Sequence, residues 1–327
     1  MINSTKITVL VCTYNRSETL GETIESVATQ TLPQSVSWEL LIVDNNSSDD
    51  TRRVVEDFRQ RYPGRIRYFF EPQQGLSYAR NTGIREAKGE ILVFIDDDET
   101  AEAGWLENLT ANLQSGEWAG VGGRVLPPPS FSPPPWLPRK SLFASAPLAT
   151  FDLGLEARQL NEPPFGANMA FRREVFDSYG GFRTDLGRMG KSMISNEDTE
   201  FGRRLLAAGL RLRYEPSALI YHRVEEIRLR PEYFLKWWFN KGRSDIREVG
   251  NRPGVFRFLG IPFRLLRAFA WEVTHWMIAL EPSERFGCKT EVWACAGQIV
   301  ESYHGWLDAK RKGTGRNDVG PRVKGGT

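Results

Sequence analysis

Apolar and polar positions fall in short blocks along the first two hundred residues, and the blocks alternate in kind. The stretches Lys6–Val11, Trp38–Val43, Arg65–Phe70 and Ile91–Ile95 are nearly continuous apolar runs rich in β-branched residues. Runs of that length and composition predict strands buried on both faces, as in a parallel sheet. Between them the spacing turns helical. After Ser17, a candidate cap, Leu20, Ile24 and Val27 share one face. A second helix is expected through Phe58, and Gly75 to Gly89 reads as a loop and helix. Strand and helix alternating in this way predict an α/β fold: an open, mostly parallel sheet with helices on both faces.

Further along, Ala119–Val125 is a short apolar strand. Ser195 or Asn196 can cap a helix whose stripe is Phe201, Leu205 and Ala208 and which Gly209 ends. Arg211–Tyr214 is a strand that Glu215-Pro216 brings to a stop. Over residues 263–280 Leu266, Phe269, Ala270, Val273, Trp276, Met277 and Leu280 line one helical face, opposite Arg264, Arg267, Trp271 and His275.

The polar residues that end the strands carry the chemistry, because ligands of such sheets bind beyond the carboxyl ends of the strands. The fourth run stops in Asp96-Asp97-Asp98-Glu99. Four adjacent carboxylates repel one another unless a cation or hydrogen-bond donors face them. A hard divalent ion bridging to phosphate oxygens would satisfy them; a solvated acidic turn is the alternative. Thr13 and Tyr14, with Asn15 after them, end the first strand, where a hydroxyl and a ring can hold a nucleobase. Asp44 can accept a hydrogen bond from a base N–H or close its own turn. Arg80 can fork onto a base edge or a diphosphate, or sit as a solvated helix charge. Glu197 and Asp198 fall in a first helical turn, where acids complement the dipole or serve acid–base chemistry. His222 is one of three histidines and the best imidazole candidate for a metal.

Composition bounds the rest. The chain has 327 residues, 40% hydrophobic and 26% charged, ordinary for a globular protein with one large core or two smaller ones. Three scattered cysteines form neither a disulfide framework nor a zinc site, which fits a reducing compartment. The sequence starts without a signal-peptide pattern, and no run of eighteen apolar residues exists, so a cytoplasmic location is expected. The net charge of +2 divides unevenly. Residues 223–327 hold 19 Lys and Arg against 12 Asp and Glu, net +7, leaving residues 1–222 at net −5. A basic segment containing five aromatics within Tyr233–Phe239 suits an anionic membrane surface, as a peripheral attachment, better than nucleic acid. Seven prolines within residues 127–138 exclude helix and central strand and predict a stiff loop, or a polyproline ligand.

Four segments together resemble the family 2 glycosyltransferases: Val11-Cys12-Thr13-Tyr14-Asn15-Arg16, Ile42 to Thr51, Ala79-Arg80-Asn81-Thr82-Gly83, and Phe94-Ile95-Asp96-Asp97-Asp98. The resemblance covers roughly residues 5–222 and implies the GT-A fold, an inverting reaction and a nucleoside-diphosphate sugar donor, UDP-type favoured. It implies that Asp96 faces the ribose or the metal, Asp98 binds an Mn²⁺ or Mg²⁺ ion, and His222 completes the metal site or touches the diphosphate. It further implies that Asn168, in Gly166-Ala167-Asn168, meets sugar hydroxyls, that Asp198 is the general base, and that Glu197 orients substrate or acceptor. A growing glycan or lipid-linked sugar is the implied acceptor.

The organisation expected is a catalytic domain over residues 1–222, a basic, aromatic helical region over 223–312, and a disordered tail over 313–327. Two rivals remain. A nucleotidyltransferase could use the same sheet, but it wants a Gly-rich basic phosphate loop where Thr13-Tyr14-Asn15-Arg16 stands. A non-catalytic sugar-nucleotide binder would have little use for the Glu197-Asp198 pair.

Overall fold

The expected strand and helix blocks are present in a computed structural model that describes residues 7–137, 143–250 and 256–314. Lys6, Pro138 and the part of the predicted tail beyond Thr314 lie outside the described residues. Two units are distinguished, one ending at Phe234 and the other beginning at Leu235.

In the first unit β1 (Ile7–Thr13), β2 (Trp38–Asp44), β3 (Ile66–Phe70) and β4 (Ile91–Asp96) alternate with α1 (Leu20–Ala28), α2 (Thr51–Arg61) and α3 (Leu76–Glu86). All four strands run parallel, in the order β3-β2-β1-β4. Side chains alternate faces along a strand, so each strand feeds two cores. Val9, Val11, Ile42 and Val93 pack with Leu20, Ile24 and Val27 of α1 on one face. Leu10, Leu41, Leu92 and Phe94 pack with Ala79 of α3 on the other.

The sheet then becomes mixed. After β5 (Glu99–Ala101) and α4 (Trp105–Ala111) come β6 (Gly120–Leu126), β7 (Arg158–Leu160), β8 (Asn168–Arg172), α5 (Arg173–Tyr179), α6 (Glu197–Ala207) and β9 (Leu212–His222). The order continues β4-β8-β6-β9-β5, with β7 also paired to β9. β8 is antiparallel to β4 and β6, whereas β6 and β9 are parallel. Sequence reading halts β9 at Tyr214 because a proline removes a ladder donor. The strand instead continues to His222: Gly123 pairs with Glu215 and Arg124 with Leu219, so residues 216–218 bulge out and Pro216 breaks no pairing. That bulge is what carries His222 to its partner Glu99 on β5.

The boundary falls after Phe234 rather than at 222 for a physical reason. A single 3₁₀ turn, Glu226–Leu229, buries Arg228 against the sheet, and Phe234 is buried with its ring edge-on to Trp136, centroids 4.9 Å apart. The proline-rich loop through residue 137 is irregular, with tight turns closed at Phe131 and Leu137.

The second unit holds the remainder of α7 (Pro231–Val249), a small hairpin of β10 (Arg257–Phe258) and β11 (Ile261–Pro262), α8 (Phe263–Ile278) and α9 (Pro282–Thr314). α7 and α9 meet backbone to backbone. A Cβ on Gly242 would lie 2.0 Å from the Ala294 carbonyl oxygen, and one on Gly297 would lie 1.9 Å from that of Phe239. Beside this crossing Arg243 and Arg247 both bind Glu301. α9 runs through Gly313 and Thr314, where the tail was expected to begin. Among the described residues no helix is long and apolar enough to cross a membrane.

Candidate active site

Parallel pairing sets the ends of three neighbouring strands side by side: Thr13 opposite Asp44, and Cys12 opposite Asp96. The mouth of the sheet is therefore built from motif residues that lie far apart in sequence. An aromatic cluster brings α6 to it. Phe182 packs on Phe94 of β4 (5.6 Å) and on Phe201 of α6 (5.0 Å), while Phe176 stacks on Phe201 at 4.8 Å. Phe201 is fully buried, and its truncation to alanine would cost about 3–5 kcal/mol.

Arg80 of α3 joins the two sides. Its guanidinium donates from Nη1 to Glu197 Oε1 (2.8 Å) and from Nη2 to Asp96 Oδ1 (3.1 Å) and the Gly166 carbonyl (3.1 Å). It is 3% exposed, so the reading of Arg80 as a solvated helix charge is excluded. Surrounding carboxylates hold its pKa above the ordinary range despite burial. Burial is also the largest influence on Glu197, reinforced by the Asp198 charge and opposed by Arg80, and pushes its carboxyl up to about 7.

Asp198 is half-buried. Its Oδ2 accepts the Gly166 N–H at 2.7 Å and its Oδ1 the Thr199 N–H at 2.7 Å. A Cβ at position 166 would sit 2.5 Å from Asp198 Oδ2, so glycine is what lets the backbone approach this carboxylate so closely. Asn196 stands before the helix at φ 78°, a left-handed conformation that asparagine tolerates.

A second cluster lies at the β5–β9 pair. Asp98, Glu99 and His222 each offer a ligand atom within 4.8 Å of the others. Sequence reading places Asp96 in this set; the geometry puts Glu99 there, since the Asp96 carboxylate is tied to Arg80. The donor set suits a hard divalent cation. Both Glu99 oxygens are buried without a hydrogen-bond partner, a cost of order 1–3 kcal/mol each that a metal would relieve. Burial pushes the Glu99 carboxyl well above the usual range. Asp98 is held below it, against burial, by His222, Arg228 and Arg16. Asp97, desolvated beside Asp98, rises to about 7.

The expected nucleobase residues divide. Tyr14 is exposed at the end of β1 and the Thr13 hydroxyl is buried without a partner. Asn15 instead stitches loops, its Oδ1 accepting the Ser48 N–H (2.7 Å) while its own N–H donates to Ser47 Oγ (2.9 Å). Asp44 accepts the Ser47 N–H (2.9 Å) and the Tyr68 hydroxyl (2.7 Å), so it closes its turn and offers a base only its remaining lone pairs. Asn168 requires a correction. It is fully buried; Nδ2 donates to the carbonyls of Arg124 and Ala218, and Oδ1 accepts from Trp105 Nε1. With both N–H groups spent inside the sheet it cannot reach a sugar hydroxyl.

Glu99 is one of the four adjacent acids that sequence reading offers to a cation, whereas Arg16 and Arg228 are functional candidates that motif reading left without a role. Arg16 was visible beside Asn15; nothing local distinguished Arg228 from the other basic residues after 222.

A family model described as glycosyl transferase family 2 matches residues 8–180. The chain is 30% identical over 249 residues to the glucosyl-dolichyl phosphate glucuronosyltransferase of Haloferax volcanii, covering 73% of this chain and 76% of that protein. It is 29% identical over 252 residues to the succinoglycan biosynthesis protein ExoM of Rhizobium meliloti, 77% of each chain. Among solved structures, the mannosyltransferase PcManGT from Pyrobaculum calidifontis, in complex with GDP-Man and Mn²⁺, aligns at a TM-score of 0.57 and 19% identity over 96% of this chain and 76% of that one, a likeness of fold.

Proposed function

The chain belongs to glycosyl transferase family 2, and from that premise we propose an inverting transfer from a nucleoside-diphosphate sugar, UDP-type favoured, with Asp198 as the general base. One observation carries this reading. The Arg80 guanidinium ties Asp96, at the strand end where a donor diphosphate belongs, to Glu197 beside Asp198. Donor and base sides of the site are thereby held in one arrangement.

Inversion is a single displacement at the anomeric carbon, so the attacking hydroxyl must give up its proton as the new bond forms. Asp198 takes that proton. Backbone N–H groups on each of its oxygens fix its orientation, and its half-buried position leaves lone pairs for an acceptor. Glu197 positions Arg80 and the first turn of α6. Asp98, Glu99 and His222 would hold a divalent cation, Mn²⁺ or Mg²⁺, which supplies positive charge against the leaving diphosphate. Tyr14 and Thr13 border the base subsite. A cysteine nucleophile has no support: burial pushes the Cys12 thiol up to about 12.

The acceptor is a glycan or lipid-linked sugar, as the name of the Haloferax relative suggests. On the second unit Phe263, Trp271, Met277 and Ile278 of α8 and Phe256 and Phe258 near the hairpin are exposed. Arg264, Arg267 and Trp271 line a cavity of about 570 Å³ there. Basic and aromatic side chains on one surface suit an anionic lipid face. The Trp237-Trp238 pair contributes less than expected, because Trp238 is buried.

A thermal-shift panel of nucleotide sugars with and without Mn²⁺ tests the donor side. A ligand at a hundred times its Kd adds about 2.7 kcal/mol to stability, so one sugar nucleotide should stand out, and only with metal. NMR of the product should give an inverted anomeric centre. A panel that moves nothing, or a retained anomer, sinks the reading.

A further inference from the structure

The candidate metal site already faces a cation of the protein's own. Arg228 is 5% exposed. Its Nη2 donates to Asp98 Oδ2 at 3.2 Å, and its Nη1 lies 3.1 Å from His222 Nε2. The same two atoms, Asp98 Oδ2 and His222 Nε2, are 3.6 Å apart. A divalent cation coordinated by both would sit about 2.0–2.6 Å from each, in the space the guanidinium fills. Two buried positive charges cannot share it.

The segment that presents Arg228 is only a four-residue 3₁₀ turn. Its outer end is anchored by Glu225, which receives Arg16 Nη1 at 2.6 Å, while Arg16 Nη2 lies 3.7 Å from Asp98 Oδ2. The guanidinium fork fits phosphate oxygens as well as carboxylate oxygens in geometry. A donor diphosphate arriving beside Asp98 would therefore offer Arg228 and Arg16 a second partner.

We propose that Arg228 is the resident cation of the Asp98–Glu99–His222 site in the donor-free protein, that it competes with divalent metal, and that a nucleoside diphosphate draws it off. This rests on the reading of that cluster as the metal site of a nucleotide-sugar enzyme. Metal alone then binds weakly, and metal with nucleotide binds tightly, in part because the guanidinium has somewhere to go. Linkage makes the coupling reciprocal.

The test is Mn²⁺ binding followed by electron paramagnetic resonance of the free ion, without and with UDP, on the full chain and on Arg228→Ala. Removing a charged hydrogen-bond partner should raise the variant's affinity for Mn²⁺ alone about 10–100-fold and shrink the gain that UDP adds. Equal or weaker Mn²⁺ binding by Arg228→Ala, with UDP-dependent binding intact in both proteins, overturns the proposal and leaves the metal site standing. Absence of Mn²⁺ binding in either protein under any condition overturns both. Hydrogen exchange on the unaltered chain guards against a misfolded variant. The amides of Arg228 and Arg230, bonded to the carbonyls of Glu225 and Ile227, should change their exchange rates when Mn²⁺ and UDP bind together. Unchanged rates in protein that has bound both would also overturn the proposal.

Discussion

The two units depart from ordinary surface-and-core partition in opposite directions. The first buries ionisable groups: Arg80, Glu197, Asp98, Glu99 and Arg228 are all at most 8% exposed at the side chain or residue level. The second exposes apolar ones, with Trp271 at 64% and Met277 at 72%. Charged groups are rarely buried unless paired, and contiguous exposed aromatics on a folded protein mark a binding face. Desolvated charge is costly to assemble and is found where a reaction needs a preorganised field. Exposed aromatics beside arginines have the composition of an interfacial face. The buried charges carry the catalytic role proposed for the first unit, and the exposed aromatics the attachment proposed for the second.

Asp198→Asn is the severest test of the buried-charge half. The amide keeps volume and orientation but cannot take a proton, so transfer should fall about 10²–10⁴-fold while donor affinity is nearly unchanged. Wild-type turnover in the variant would relocate the base, with Glu197 next in line. Gly166→Ala asks whether position matters as much as identity. Its Cβ would meet Asp198 Oδ2 at 2.5 Å and push the carboxylate aside, and a displacement near 1 Å can lower turnover about 10²-fold. Circular dichroism unchanged with turnover lost is the expected pair of results; full activity would mean the Gly166 contact is incidental.

The parallel strands and the helices beside them were legible because burial on both faces leaves little but apolar, β-branched residues. The strand-end motifs were legible because parallel pairing always gathers those ends. What sequence could not report was where a polar side chain spends its hydrogen bonds. Asn168 has the composition of a sugar ligand and the bonding of a core amide; only the positions of the Arg124 and Ala218 carbonyls distinguish the two. Glu99 looked like one acid of four until the bulge in β9 brought His222 opposite it. Arg228 was counted within a basic tail, since a charge sum carries no information on burial.

Glu197→Gln probes the field itself through pH. Burial raises the Glu197 carboxyl from its ordinary 4.5 to about 7, so between those values the folded state keeps a proton that the unfolded state releases. The stability this group contributes is full below pH 4.5 and is lost as pH rises towards 7, with a slope of at most about 1.4 kcal/mol per pH unit. Denaturant unfolding of Glu197→Gln should be flatter than wild type across that window. An identical slope in both proteins would mean that Glu197 stays ionised against Arg80 throughout.

The smallest effect concerns the exposed half, where a single charge is removed. Arg267 is exposed on α8 and lines the cavity with Arg264 and Trp271. A basic residue near an anionic bilayer contributes roughly 1 kcal/mol, screened over a Debye length of about 8 Å at physiological salt. Arg267→Gln should therefore weaken co-sedimentation with anionic vesicles about fivefold and leave transfer to a water-soluble acceptor unchanged. Salt should erode the wild-type advantage, while binding that depends on Trp271, Phe263 and Met277 persists, because apolar insertion is insensitive to screening. Neutral vesicles should not distinguish the variant from wild type. If anionic and neutral vesicles pellet the wild-type chain equally poorly, the aromatic face serves another partner, such as a second copy of the chain. Concentration-dependent association in ultracentrifugation would then identify it, and the division between a reacting unit and an attaching unit would need a different basis.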